Sequence, residues 1–236
     1  MMNDLTAEEL AGPLGGRPAR VYPAVLSTSA DAQAWARSGA PEGAVVVAGY
    51  QASPRGRSGW PWDLAPERDL CFSIVVHPPL PAEREGWLYL VAVAGVADAL
   101  GDGELHWPDE VWCDGNLTGA VGVESGLGPQ GLTWAVVNVW LRNVEAPRGP
   151  LLARTTAAIE ARLAEDPAAV LASVVDRCAT LGQHVRARLI PLGPGGPETE
   201  GEAATCLADG ALVVITERGS RVAVRPQHLG VLETVG

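Results

Sequence analysis

The segment Tyr50–Ser73, YQASPRGRSGWPWDLAPERDLCFS, gathers the residues best suited to chemistry. Arg55 and Arg57 offer planar guanidinium forks that match carboxylate and phosphate oxygens two at a time. Gly56 and Gly59 between and after them let backbone approach a ligand closely. Gln51 supplies an amide for a polar head group, and Trp62 and Trp107 can wall an apolar slot. Trp107 belongs to a second constellation, His106-Trp107-Pro108-Asp109-Glu110. One functional group is missing: all 17 basic residues are arginine and the chain has no lysine.

Other chemistries find less support. Cys71, Cys113, Cys178 and Cys206 are widely separated, with no CxxC pair and no Cys/His spacing suited to zinc. They read as reduced thiols. Cys113 lies near the second constellation, but neither it nor Cys71 has a flanking basic residue to lower its pKa. No GxSxG turn is present, and GPLGG and GPGGP are turn or linker glycines rather than phosphate loops.

These residues need elements to hold them. Ser27-Thr28-Ser29 precede ADAQAWARSG, which predicts a capped helix ending at Gly39. Ala44–Ala48 and Leu70–Val76 read as strands flanking the long Gly/Pro/Arg/Trp-rich loop, and long ordered loops in compact domains are commonly functional. Glu83–Leu100 has helical spacing. Glu110–Glu124 reads as two short strands about an Asp114-Gly115 turn, and Leu132–Leu141 as a central strand apolar on both faces. Leu151–Ala164 and Pro167–Leu181 read as helices, the second with Asp166 as N-cap and Pro167 at N1. Pro191–Glu202 reads as a linker loop, followed by strands over Ala211–Ile215 and Val222–Val224.

With that frame the arginine loop resembles the biotin-binding loop of the biotin–protein ligases, whose pattern runs Q-x-x-G-R-G-R-x-G-x-x-W, a proline, then L-x-F-S. Gln51, Arg55, Gly56, Arg57, Gly59, Trp62, Pro66, Leu70, Phe72 and Ser73 fall in register. Ser27-Thr28 resembles the family's S-T-N motif and His106–Glu110 its K-W-P-N-D motif. Gly119–Glu124 resembles its G-I-L-x-E strand, and Asn138 the end of its I-N strand. Leu181–Val185 and Asp209–Leu212 resemble the entry to its small SH3-like module. The likeness extends over nearly the whole chain, without the helix-turn-helix of the repressor-type members.

The resemblance implies an α/β (α+β) fold: a mixed central β-sheet with packed helices over residues 1–185, then a small SH3-like β-barrel over 186–236 that includes the 191–202 linker. It implies biotin or lipoate, ATP and Mg²⁺ as ligands, an acyl-adenylate intermediate, and a biotinyl or lipoyl carrier protein as acceptor. Ser27, Thr28, Gln51, Arg55, Gly56, Arg57, Trp62, Trp107, Asn116, Gly119, Trp134 and Asn138 are its ligand-site positions, with Asp109 and Glu110 for the metal.

Three departures weigh on activity. The family's lysine falls on Asn116, three residues before Gly119, so His106 and Asn116 are left as catalytic candidates. Loss of one preorganised charge typically costs about 10²–10³ in rate. Pro54 replaces a glycine and removes an N–H donor. Trp134 and Val136 stand where the family has glycines and would shrink the acyl slot. Two functions follow: a divergent ligase that still forms an acyl-adenylate, or a binding module (a pseudoenzyme) that holds a cofactor, nucleotide or carrier protein.

A net charge of −11 without a basic run argues against nucleic acid. The longest apolar stretch, Trp87–Leu100, is too short to span a bilayer and contains Asp98. With an acidic N-terminus lacking an apolar run, the expected location is the cytoplasm, with a homodimer left open.

Overall fold

A computed structural model of the chain describes residues 4–101, 103–193 and 195–235. A short helix α1 (Ala7–Leu14) leads into strand β1 (Ala19–Tyr22), helix α2 (Thr28–Arg37) and strand β2 (Val45–Ala48). The arginine loop, with one 3-10 turn at Arg57–Gly59, returns as β3 (Leu70–Val76). Helix α3 (Trp87–Leu100), β4 (Glu104–His106), β5 (Glu110–Cys113), β6 (Asn116–Gly128) and β7 (Gly131–Leu141) follow. These strands form one sheet in the order β1-β2-β3-β7-β6-β5-β4, antiparallel except for the β1–β2 pair.

Strand alternation divides the sheet between two helical layers. Val45, Val47, Phe72, Ile74, Val137 and Val139 face the main core, where α3 packs with α4 (Gly149–Ala164) and α5 (Pro167–Arg177). Val46, Val75 and Val136 point the other way, onto Ala32 and Ala36 of α2. Ser73 pairs with Asn138, which pairs with Gly122, and their parity puts all three on the α2 face. The site is therefore built on the thinner side of the sheet, where small alanines let α2 sit close.

A second, fully antiparallel sheet has the order β11-β10-β9-β8-β12, from β8 (His184–Leu189), β9 (Glu198–Cys206), β10 (Leu212–Ile215), β11 (Arg221–Val224) and β12 (Leu229–Thr234).

Several elements differ from the sequence expectation. The helix expected from Glu83 starts at Trp87 after a 3-10 turn at Ala82–Arg84. It is buried on nearly every side because the sheet, α4 and α5 all cover it. The second strand of the expected hairpin continues to Gly128, since β7 pairs along its whole length. Helix α5 stops at Arg177, because Cys178 turns extended and bridges to Leu105. Glu198–Glu202, read as linker, belongs to β9. Elements α1, β1, β4 and β12 carried no strong period and were not anticipated.

Candidate functional site

A line of buried polar side chains crosses the α2 face of the sheet. Gln51 Oε1 accepts from the Thr28 amide at 2.9 Å and from Thr28 Oγ1 at 3.1 Å, while Gln51 Nε2 donates to Cys71 O at 3.1 Å. Ser73 Oγ lies 2.9 Å from Thr28 Oγ1 and 2.8 Å from the Asn138 amide oxygen. Asn138 Nδ2 lies 3.1 Å from Ser29 Oγ, which also receives Gln33 Nε2 at 3.2 Å. The hydroxyls of Thr28 and Ser73 bring two protons to three oxygen contacts. Turning the Asn138 amide end for end supplies the missing donor, and every bond then runs in one direction from Gln33 to Gln51.

One atom is left over. Ser27 is 5% exposed and its Oγ has no partner. It is the N-cap of α2 but makes no capping bond, unlike the cap the sequence suggests. A buried hydroxyl without a partner carries an unmet desolvation cost of about 1–3 kcal/mol. Ser27 lines a cavity of about 370 Å³, together with Leu26, Ser29, Gln33, Arg55 and Glu124 among others. Burial, then the charge of Glu85, raises the Glu124 carboxyl above its ordinary range. Arg55 remains exposed and donates only to Gly59 O, at 3.0 Å. The cavity thus offers a hydroxyl, a cation and a carboxylate.

The loop above it is fastened by its own backbone. Gly56 N donates to Trp60 O at 2.8 Å, Trp62 N to Pro54 O at 3.1 Å, and Arg55 bridges to Pro61. A Cβ on Gly56 would stand 2.4 Å from the Trp62 indole, and one on Gly122 would stand 2.7 Å from the Gly56 carbonyl carbon. Both glycines let the loop lie flat on β6. Trp62 packs on Trp140, ring centres 5.7 Å apart.

The other expected site residues lie elsewhere. Arg57 does not enter the cavity. Its Nε reaches Asp109 Oδ2 at 3.0 Å and its Nη1 donates to Leu229 O in β12, binding the loop to the second sheet. Trp107 walls no slot; it is 4% exposed and donates from Nε1 to Gly210 O at 3.0 Å. Gly119 faces α3, where a Cβ would meet Val96 at 2.8 Å. Trp134 lies beside Gly126 with Arg37 over its ring at 5.4 Å, filling space against α2 outside the cavity. Asn116 is exposed at the β5–β6 turn and donates to Asp114 O at 2.9 Å. His106 stacks on Trp112, ring centres 4.9 Å apart.

The metal pair fares no better. Asp109 is held by Arg57, and Glu110 Oε2 accepts from Trp112 Nε1 at 2.9 Å. No cluster of three or more His, Cys, Asp or Glu suited to a metal occurs among the described residues. The arrangement does not fit a Mg²⁺ site at this pair. Burial, opposed by Arg57, pushes the Asp109 carboxyl up to about 6. Glu124, Leu26, Ser53 and Gln33 were not singled out from the sequence. Only Glu124 had a signal there, as the last residue of the strand motif begun by Gly119.

Comparison with known proteins places this geometry. Over 104 residues the chain is 32% identical to the bifunctional ligase/repressor BirA of Bacillus subtilis; the match takes in 42% of this chain and 32% of that protein. The chain thus matches about a third of the length of that relative. The biotin protein ligase of Aquifex aeolicus in complex with biotin and ATP superposes with a TM-score of 0.70 at 20% identity, over 92% of this chain and 99% of that one. The chain has the fold of a biotin protein ligase. A biotin protein ligase-like protein of unknown function from Silicibacter sp. matches with a TM-score of 0.65 at 14% identity, over 87% of this chain and 94% of the other. At these identities the structural likeness is one of fold. No protein-family model matches the chain. The ligase-like fold explains why the arginine loop, α2 and β7 converge. No helix among the described residues is long and apolar enough to cross a membrane.

Proposed function

We propose that this biotin protein ligase-like chain binds a carboxylic-acid cofactor of the biotin or lipoate class, or its adenylate, in the cavity under the arginine loop. The observation that carries this reading is the buried, unpartnered Ser27 Oγ on the cavity wall, next in sequence to Thr28 of the paired polar row. A ligand head group bonded to Ser27 would remove that cost, and Arg55 would meet an anionic oxygen of the acid or of its adenylate phosphate. Thr28, Gln51, Ser73 and Asn138 shape and stiffen the floor rather than contact the ligand first.

Transfer to a carrier-protein lysine is the ligase form of this function. Without a lysine, and with Arg57 engaged by Asp109, Arg55 is the one cation among the described residues lining the cavity that can balance charge at an adenylate, so attachment is slow. The second reading is a binding module without adenylation, favoured by Asn116, whose side chain closes its own turn. In either form residues 186–236 serve as an SH3-like module behind the main body.

Calorimetry with biotin, lipoate and a non-hydrolysable biotinyl-adenylate analogue tests the site. Micromolar or tighter binding of one of them is expected, and Ser27→Ala should weaken it about tenfold, the worth of one buried hydrogen bond. No heat for any ligand, from protein shown to be folded, would end the proposal. ATP–pyrophosphate exchange separates the two forms: measurable exchange supports the ligase, and binding without exchange supports the module.

A further inference from the structure

Glu124 lines the arginine-loop cavity and has no hydrogen-bond or ion-pair partner among the described residues. Its place follows from strand alternation. Gly122 lies directly under the loop, with the Gly56 carbonyl carbon 2.7 Å from where a Cβ would stand. Two residues on, Glu124 keeps the same face of β6. It pairs with Val136, which packs on Ala32 and Ala36 of α2. A carboxylate is thus held between the loop and α2.

Arg55 lines the same cavity, yet the two opposite charges form no ion pair, and Arg55 donates to Gly59 O within its own loop. The buried Ser27 Oγ on this wall is also without a partner. The cavity therefore presents an acceptor, a cationic donor and a hydroxyl that can serve as either. An occupant whose only polar end is an anion would answer Arg55 and bring a like charge toward Glu124. Burial, then the charge of Glu85, raises the Glu124 carboxyl above its ordinary range, and a further anion would add to that cost. An occupant with a donor at its other end answers both side chains.

We propose that Glu124 is a specificity-determining residue of this cavity, which requires the ligand to carry an N–H donor at the end opposite its acid group. The proposal rests on the reading that the cavity takes a carboxylic acid, and it narrows that class. Biotin carries ureido N–H groups, an ω-amino fatty acid carries an ammonium, and lipoate carries neither. A ureido group also has a carbonyl to which the Ser27 hydroxyl can donate, whereas an ammonium would use Ser27 Oγ as a second acceptor.

The test compares biotin and ω-aminooctanoate with lipoate and octanoate by calorimetry, each as the free acid and as a non-hydrolysable adenylate analogue. A donor-bearing ligand is expected to bind at least about tenfold more tightly than both donorless ones, the worth of a hydrogen bond to a charged group. Glu124→Leu should erase that preference without weakening lipoate or octanoate, a pattern that a merely structural residue would not produce. Glu124→Gln keeps an acceptor without the charge, so it should spare biotin and lose ω-aminooctanoate, which separates the ureido from the ammonium. Equal affinity for donor-bearing and donorless ligands would overturn the assignment and leave the carboxylic-acid site standing. So would a loss in Glu124→Leu shared by every ligand. Heat from none of them, with folded protein, would overturn the site and the assignment together. The parent protein alone decides the first comparison, so a variant that fails to fold leaves the test intact.

Discussion

Asn116, the position to which the resemblance assigns the ligases' lysine, has a local occupation in the structure. Its Nδ2 bonds Asp114 O across a turn formed by Asp114 (φ 50°) and Gly115 (φ 70°), so the side chain is spent on the hairpin. A lysine there would be long enough to leave the turn and place its charge over the sheet face. Asn116→Lys is therefore expected to raise ATP–pyrophosphate exchange by about 10²-fold, the worth of one preorganised charge. Unchanged exchange with retained ligand binding would mean that the pocket itself has moved away from adenylation. Asp109 makes a prediction of the opposite kind. Its carboxyl titrates near 6 in the folded chain against 3.8 for the ordinary group, because burial outweighs the attraction of Arg57. Between those values the folded state holds the proton and the unfolded state has lost it. This group therefore favours folding at low pH, and its contribution falls as pH rises from about 4 to 6. An uncharged amide at the same position does not titrate. Melting of Asp109→Asn and parent at pH 4 and pH 7 should show the variant gaining on the parent at the higher pH, by up to about 3 kcal/mol. A difference independent of pH would place the Asp109 titration at its ordinary value.

The arginine loop shows how a single backbone contact between elements governs a site. The loop rests on β6 because residue 122 has no side chain; the Gly56 carbonyl carbon and Arg57 N stand where a Cβ would be, at 2.7 and 2.9 Å. Gly122→Ala should lift the loop from the sheet, abolish binding of the adenylate analogue and speed proteolysis within residues 53–62. Circular dichroism should stay unchanged, since β6 keeps its pairing. Retained affinity would mean that the loop does not cover the ligand. The sequence made much of this legible. The loop, its flanking strands, α2 and the central β7 were readable because each has an internal signal: glycine and proline content, valine runs, a cap, a two-sided apolar strand. What sequence could not weigh was competition for the same side chain. Arg57 and Arg55 are equal forks on paper, yet Asp109 and Leu229 O, 52 and 172 residues away in the chain, claim the first and leave the second exposed, bonded within its own loop to Gly59 O. Trp107 and Trp62 likewise read as interchangeable walls until the second sheet buries one of them. Short edge strands such as β4 and β12 were invisible because their partners, not their own period, define them.

On the scale of the whole molecule, the site depends on a sheet that contributes nothing to its lining. Polar contacts between the second sheet and the main body include Arg57 and Ser58 to Leu229 O, Arg84 to Ala208 O, Gly182 N to Ala203 O, and Trp107 Nε1 to Gly210 O. The Trp107 amide also donates to Thr180 Oγ1, at 2.9 Å, just before the chain enters β8. Its indole is thus the buried peg between the two layers, and its one ring donor serves the other layer. Trp107→Phe keeps most of the apolar volume and removes only that donor, leaving the Gly210 carbonyl without it. The expected cost is about 1–3 kcal/mol, borne by the contact between layers rather than by either core. Native-state hydrogen exchange can see the difference, because local openings are read segment by segment. Amides of β8–β12 should exchange about tenfold faster or more in Trp107→Phe, while those of β3, β6 and β7 keep their protection. Adenylate-analogue affinity should fall along with them, since Arg57 is held partly by β12 and loosens when that sheet does. Equal acceleration in all strands would make Trp107 an ordinary core residue of a single cooperative unit, and unchanged exchange everywhere would remove it as the peg.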